Sequence, residues 1–320
     1  MVGRMVGRRV GIIGAGAVGA TAAYSLAFTG TCHEILLYDI VPEVAIGKAI
    51  DISQSTNYSP RGTVVRGVVK PEEVKDCDVV VITAGVPRKK DMTRMQLLDI
   101  NAKIVKEVAQ NIKKYSPNAI VLVVSNPLDV MTYVAFRVLG WERNRVIGMG
   151  GALDRARMAY QIYQKIGFGM SQVRPMVIGN HGEDMIPYPE ITSIAGVPLP
   201  QLLSEEDMED IIQKTKQGGA EIVKYLKTSA FYAPGRAVSV MVEAILSDEE
   251  KVIPSCVYLD GEYGHKDVTI GVPCVIGAKG VNKIIEIELE PKIKEKFDKA
   301  VQSVKSAIVM LEDSGFFESL

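Results

Sequence analysis

Two arginines six residues apart, Arg88 and Arg94, frame the segment Arg88-Lys89-Lys90-Asp91-Met92-Thr93-Arg94. A guanidinium presents parallel donors that match the oxygens of a carboxylate or phosphate. The segment follows Val79-Val80-Val81-Ile82-Thr83, a β-branched run that reads as a buried strand, and open α/β sheets bind ligands beyond the carboxyl ends of their strands. The pair is therefore placed to meet an anion. Water also solvates charged loops on every protein surface, so the segment alone leaves both readings open.

Acid–base chemistry near neutral pH points to histidine, and the chain has three, His33, His181 and His265. His33 precedes the second expected strand, at its amino end, and His265 falls in the polar stretch Glu262-Tyr263-Gly264-His265-Lys266. His181 follows an expected apolar strand from Val173 to Ile178 and lies among small neighbours in Gly179-Asn180-His181-Gly182-Glu183, where a substrate has room. It is the candidate base, although a histidine there can equally be one that only satisfies its hydrogen bonds. Asp154 and Arg157, three apart at the start of an expected helix, share a face. They read either as a surface ion pair or as separate groups, Asp154 orienting His181 and stabilising its imidazolium, Arg157 forking onto a substrate carboxylate. Asn126, before Pro127 and after the run Ala119 to Val124, is placed to face a ligand held at the strand ends. Ser125 or Asn126 is also placed to cap a helix opened by that proline.

These side chains need a frame. The first half alternates short β-branched runs with helical stretches, the pattern of a parallel sheet covered by helices on both faces. Strands are expected from Arg9 to Ile13, Glu34 to Asp39, Thr63 to Arg66, Asp78 to Thr83, Ala119 to Val124 and Arg145 to Met149. Between the first two lies Gly14-Ala15-Gly16-Ala17-Val18-Gly19, a G-x-G-x-x-G match bracketed by the strand and by an expected helix from Ala20 to Ala27. In a dinucleotide-binding turn Gly14 permits the tight bend, Gly16 lets the backbone approach the pyrophosphate and Gly19 allows close helix packing. The helix N-terminus then holds the phosphate charge. Asp39 lies 20 residues beyond Gly19, where it would accept hydrogen bonds from ribose hydroxyls and repel a 2′-phosphate, favouring NAD over NADP. A small-residue turn in a non-binding α/β protein is the plainer alternative.

The expected architecture is α/β, with an N-terminal doubly wound parallel sheet of the Rossmann type over residues 1–150 and an α+β substrate-binding domain over residues 151–320. After Gly150-Gly151 a helix from Ala152 to Ile166 precedes further strands, among them a hairpin from Val257 to Ile270 turning at Asp260-Gly261 and Gly264. A last helix, Pro291 to Glu312, places Ile293, Phe297, Ala300, Val301, Val304, Ile308 and Leu311 on one face, against the core. With 320 residues, 47% hydrophobic, 23% charged and a net charge of −1, the chain reads as soluble and globular, with no patch for nucleic acid or membrane. Cys32, Cys77, Cys256 and Cys274 are too dispersed for a C-x-x-C metal site or a disulfide framework, which suits a reducing cytoplasm and no metal. Arg8-Arg9 before an apolar run imitates a twin-arginine signal, but that run has the grammar of a strand, a glycine turn and a helix.

The Gly14 to Gly19 turn, Asp39, Ala84-Gly85-Val86-Pro87-Arg88-Lys89, Thr93-Arg94, Asn101, Val124-Ser125-Asn126-Pro127, Leu153-Asp154-Arg155-Ala156-Arg157, Asn180-His181-Gly182 and Ser229-Ala230-Phe231-Tyr232-Ala233-Pro234 occur in that order. Along essentially its whole length the chain thus resembles the lactate/malate dehydrogenase family, and within it the lactate-dehydrogenase-like malate dehydrogenases. The resemblance implies hydride transfer between NAD and a small dicarboxylate, malate or oxaloacetate. It implies His181 as proton donor and acceptor, Asp154 as its partner, Arg157 on the C1 carboxylate and Arg94 polarising the carbonyl. It further implies Arg88 on the second carboxylate, where lactate dehydrogenases carry glutamine. Asn101, Val124, Ser125 and Asn126 would contact NAD, Asn126 also reaching the substrate, and relatives of this type imply a homotetramer or homodimer. Lys90-Asp91 stands where many relatives have proline and glycine, and Thr228 where a glycine is common, departures that bear on loop closure and pocket shape. The alternatives are a lactate or other 2-hydroxy acid dehydrogenase, an NAD-dependent glycosidase using a cysteine, a histidine and a divalent metal, and a non-catalytic NAD-binding sensor. Against the last two, no cysteine stands near Asn126 or His181 in sequence, and the base and arginines are all present.

Overall fold

A computed structural model of the chain describes residues 8–59, 61–87 and 92–318. The first six strands are β1 (Arg9–Ile13), β2 (Glu34–Tyr38), β3 (Val64–Val68), β4 (Val79–Ile82), β5 (Ile120–Val123) and β6 (Val146–Gly148). They pair in parallel in the order β3-β2-β1-β4-β5-β6. Every side chain of β4 and β5 is buried, because helices cover both faces, and such strands read as continuous apolar runs without alternation. The helices are α1 (Ala17–Thr29) after β1, α2 (Pro42–Ser55) after β2, α3 (Arg94–Tyr115) after β4 and α4 (Leu128–Leu139) after β5. Strand order reverses between β1 and β4, and sheets of this kind open their ligand crevice there, beyond the carboxyl ends.

Past β6 the chain enters α5 (Gly150–Ile166) at once, so the glycine pair expected to precede the helix forms its first turn. The strand expected from Val173 to Ile178 is broken into β7 (Val173–Arg174) and β8 (Val177–Ile178), which join different sheets. Pro175 lies between them and has no N–H for a ladder. The partner of β8 is β9 (Ile186–Pro187), while β7 pairs with β10 (Ser193–Ile194), which pairs in turn with β11 (Val197–Pro198), all antiparallel. Two helices follow, α6 (Glu205–Leu226) and α7 (Tyr232–Leu246).

The expected hairpin is longer than its reading from Val257 to Ile270. Its strands are β12 (Lys251–Asp260) and β13 (Lys266–Gly277), and β14 (Gly280–Ile284) extends them. Cys256 of β12 pairs antiparallel with Gly148 of β6, so these three strands continue the parallel sheet to nine. The two halves of the chain therefore share one sheet and, across it, one main apolar core, while a smaller core around Met158, Ile162 and Ile211 lies where α5 meets α6. The last helix, α8 (Pro291–Asp313), buries all seven residues of the expected face. Among the described residues no helix is long and apolar enough to cross a membrane.

Candidate active site

The start of α5 carries Asp154 and Arg157 one turn apart, and the turn after β8 carries His181. Asp154 Oδ2 lies 2.8 Å from His181 Nδ1, and Asp154 is 2% exposed. A carboxylate only accepts, so Nδ1 carries a proton, and in the neutral ring Nε2 keeps its lone pair. Burial of the ring disfavours the imidazolium, but the charge and hydrogen bond of Asp154, helped by Asp129 and opposed by Arg157, hold the His181 pKa above its ordinary value. Arg157 Nη1 approaches Asp154 Oδ1 at 3.4 Å, and its buried Nε has no hydrogen-bond partner among the described residues. The pair is thus not a solvated surface bridge. It leaves a desolvated cation with a donor unmet, which an anionic ligand would satisfy. Val18, Val124 and Asn126 share with Arg157 and His181 a cleft of about 450 Å³, which Gly219, Ser229 and Pro234 also line.

Arg94 opens α3 behind a capping box, in which Thr93 Oγ1 accepts from Gln96 N–H at 3.1 Å and Gln96 Oε1 accepts from Thr93 N–H at 3.0 Å. Its guanidinium rests on Glu183 Oε1 at 3.1 Å, two residues past His181. Arg94 lines a second cleft of about 680 Å³ that shares Asn126 and His181 with the first. Arg88 lies outside the described residues, as do Lys89, Lys90 and Asp91. His33 is exposed at the amino end of β2, and His265 Nε2 is paired with Asp298 Oδ1 at 2.7 Å. Neither lines either cleft.

Ser125 and Asn101 are buried. Ser125 Oγ donates to the carbonyls of Ile82 and Ala84, and the Asn101 amide is bonded to the Val86 backbone and the Asn126 carbonyl. Neither Ser125 nor Asn126 caps α4. Pro127 holds the N-cap position without a side-chain cap bond, and the helix begins at Leu128, since the Ser125 hydroxyl is engaged by the β4 side of the crevice.

One neighbour of the base escaped the sequence reading. Asp129, in the first turn of α4, is buried and accepts the His181 N–H at 2.8 Å on Oδ2. Burial pushes its carboxyl up to about 6, against the opposing hydrogen bond and charge of His181. The only local signal is an acid inside the apolar run Leu128-Asp129-Val130-Met131. Cys256, remote from His181 in sequence, comes beside Asp129 through the pairing of β12 with β6, and burial raises its thiol well above the ordinary range, keeping it neutral.

The glycine turn fits a dinucleotide. Gly14 has φ +107°, its N–H donates to the Tyr38 carbonyl at 2.8 Å, and its own carbonyl accepts from Thr83 Oγ1 at 2.8 Å. A Cβ on Gly19 would collide with that Gly14 carbonyl, whereas a Cβ on Gly16 would meet nothing within 4 Å. The backbone at Gly16 therefore borders open space just where α1 begins, at Ala17, with no acid in its first turn, leaving room and favourable charge for a pyrophosphate. Asp39 Oδ2 accepts the buried Ala15 N–H at 2.7 Å and Oδ1 accepts the Val41 N–H at 3.0 Å, so the acid stands at the turn. Lys48, which no motif marks, adds a cation there, donating to the Ala15 carbonyl at 2.6 Å.

Two family models match the chain. One, described as lactate/malate dehydrogenase, NAD binding domain, covers residues 8–148, and the other, lactate/malate dehydrogenase, alpha/beta C-terminal domain, covers residues 151–313. Among curated proteins, the malate dehydrogenase of Sulfurimonas denitrificans is 51% identical over 313 residues, spanning 98% of this chain and 98% of that protein. The malate dehydrogenase of Nitratiruptor sp. is 46% identical over 310 residues, spanning 97% and 98%. Among solved structures, the apo malate dehydrogenase from Picrophilus torridus matches with a TM-score of 0.92 at 40% identity, covering 96% of this chain and 98% of that one.

Proposed function

The chain belongs to the lactate/malate dehydrogenase family, its residues 8–148 matching that family's NAD binding domain, and from this premise we propose that it interconverts (S)-malate and oxaloacetate as an NAD-dependent oxidoreductase acting on a CH–OH group. The observation that carries the reading is a single cleft lined by both the Asp154-braced His181 and Arg157, whose buried Nε has no partner among the described residues. A base and a carboxylate receptor in one cleft, reached by Val18 of the glycine turn, match the needs of a 2-hydroxy acid.

Arg157 takes the C1 carboxylate through its free donors. His181 Nε2 accepts the hydroxyl proton as the C2–O bond gains double-bond character, and Asp154 stabilises the imidazolium. What NAD supplies when bound is the acceptor for the hydride leaving C2, with NADH the donor in the reverse direction. In that direction protonated His181 returns the proton to the carbonyl oxygen, and Arg94, once released from Glu183, brings its cation to the same oxygen. The Gly14 to Gly19 turn and Asp39 hold pyrophosphate and ribose, with Val124, Ser125 and Asn126 toward the nicotinamide. Arg88 meets the second carboxylate. A monocarboxylate such as pyruvate would leave that guanidinium unpaired, and sites built around a polar group reject analogues lacking it by about 10⁴-fold.

In this reading residues 1–150 form the NAD-binding unit and residues 151–320 the substrate unit, and a cytoplasmic homotetramer or homodimer is the working form, which sedimentation of the purified protein tests. The activity is tested by following NADH oxidation with oxaloacetate, pyruvate and 2-ketoisocaproate, then repeating with NADPH. Oxaloacetate with NADH should dominate, and Arg88→Gln should erode that preference. Comparable kcat/KM for oxaloacetate and pyruvate would overturn the malate assignment while leaving the family intact.

A further inference from the structure

Asn101 lies on α3, two turns past Arg94, and its side chain is 1% exposed. Its amide is saturated by backbone at two strand ends. Oδ1 accepts the Val86 N–H at 2.8 Å, while Nδ2 donates to the Val86 carbonyl at 3.2 Å and to the Asn126 carbonyl at 2.7 Å. A side-chain amide has two donor hydrogens, and both are used. By bonding the N–H and C=O of one residue, it treats Val86 as a neighbouring strand would, where β4 has ended and the chain runs on toward Arg88. The preceding turn closes onto it, since a Cβ on Gly85 would stand 3.3 Å from Asn101 Oδ1. Ser125 makes a companion tie lower down, to Ile82 and Ala84, and leaves Val86 to Asn101.

A side chain with almost no exposed surface and no spare donor has little to offer a cofactor directly. We propose that Asn101 is a positioning residue, a strut that holds the Val86 loop root and Asn126 at one spacing from the helix that begins with Arg94. Arg94 and Asn126 are thereby presented to the substrate as a single set. Which groups are being positioned rests on the malate dehydrogenase reading, while the strut itself rests on the three hydrogen bonds. Removing it takes the partner from part-buried backbone groups at Val86 and Asn126, and a misplacement of about 1 Å in such a set costs about 10²-fold in rate.

Asn101→Asp keeps an acceptor for the Val86 N–H and sets a carboxylate oxygen against two carbonyls, whereas Asn101→Ala removes all three bonds without repulsion. For each variant one would measure NADH affinity by fluorescence titration, deuterium uptake of residues 84–87 in the NADH-loaded protein, and steady-state kinetics with oxaloacetate. NADH Kd should stay within about twofold, which also shows that the variants fold. Exchange at the Val86 N–H should accelerate in Asn101→Ala, and kcat/KM for oxaloacetate at saturating NADH should fall about tenfold or more, further for Asn101→Asp. An NADH Kd weakened about tenfold with unchanged kinetics at saturating NADH would overturn the proposal in favour of direct cofactor contact, and unchanged exchange would overturn it as well. If the unmutated protein does not reduce oxaloacetate, the malate reading fails, and the strut is decided by the exchange and the NADH titration.

Discussion

Asp154 Oδ2 stands 2.8 Å from His181 Nδ1 with Asp154 itself 2% exposed, so the acid beside this imidazole is out of water. Burial works against the imidazolium and Asp154 outweighs it, leaving the His181 pKa above the ordinary histidine value. Malate oxidation needs neutral His181, so its kcat/KM should rise with pH and level off only above that raised value. Asp154→Asn should move this limb to lower pH and reduce kcat by about 10²- to 10⁴-fold. Paired pH–rate profiles in the oxidative direction check both, and a limb that stays in place removes Asp154 from the role. The sign carries over to stability. A raised histidine pKa contributes stability present below the unfolded value and lost as pH rises through the folded one. The denaturant midpoint of the parent should therefore lose ground to Asp154→Asn across that window.

The buried Nε of Arg157 has no partner among the described residues, which in the proposed reading suits the residue to a carboxylate. Lysine preserves the charge but not the fork. Arg157→Lys should cost about 10²-fold or more in kcat/KM for oxaloacetate, mainly through KM. NADH affinity should be unchanged. Thermal shift of the NADH-loaded protein gives an independent reading, because malonate, a dicarboxylate, should raise the Tm of the parent and fail to raise that of the variant.

Much of this site was legible in the residues, and the exceptions have a common cause. The six parallel strands appear within one or two residues of their expected limits, because all but the edge strand β3 are buried on both faces, and such a strand is a short apolar run that ends at turn residues. The α8 face was readable from its helical period alone. Periodicity tells which face is buried, not which strand lies alongside, so the pairing of β12 with β6 was invisible. So were contacts made only by folding, such as Asp129 with His181 across 52 positions and Arg94 with Glu183 across 89. The break at Pro175 was readable, since proline cannot serve a ladder, and the apolar residues around it hid it.

Asp39 divides its carboxylate between the Ala15 N–H and the Val41 N–H, so it braces the glycine turn, and in the proposed reading it also meets a ribose. Asp39→Ser removes the repulsion toward a 2′-phosphate and loosens the turn together. The ratio of kcat/KM with NADH to that with NADPH should drop about 10²-fold, and NADH itself should bind more weakly. Steady-state kinetics with both cofactors test this. A variant that still excludes NADPH would assign the discrimination to another group.

Arg94 and Glu183, 76% and 84% exposed, meet at 3.1 Å on the rim of the site. An exposed pair of this kind is worth about 0–1 kcal/mol, weak enough for a substrate oxygen to displace it. Arg94→Gln should therefore lower kcat about 10²- to 10³-fold with little change in KM, the loss of a transition-state donor. Glu183→Gln should alter kcat by less than about fivefold, and raised ionic strength should mimic it. The double variant should match Arg94→Gln alone, because the effect of Glu183 runs through the guanidinium it holds. If Glu183→Gln instead loses as much activity as Arg94→Gln, Glu183 belongs to the reacting set and the picture of a parked arginine fails.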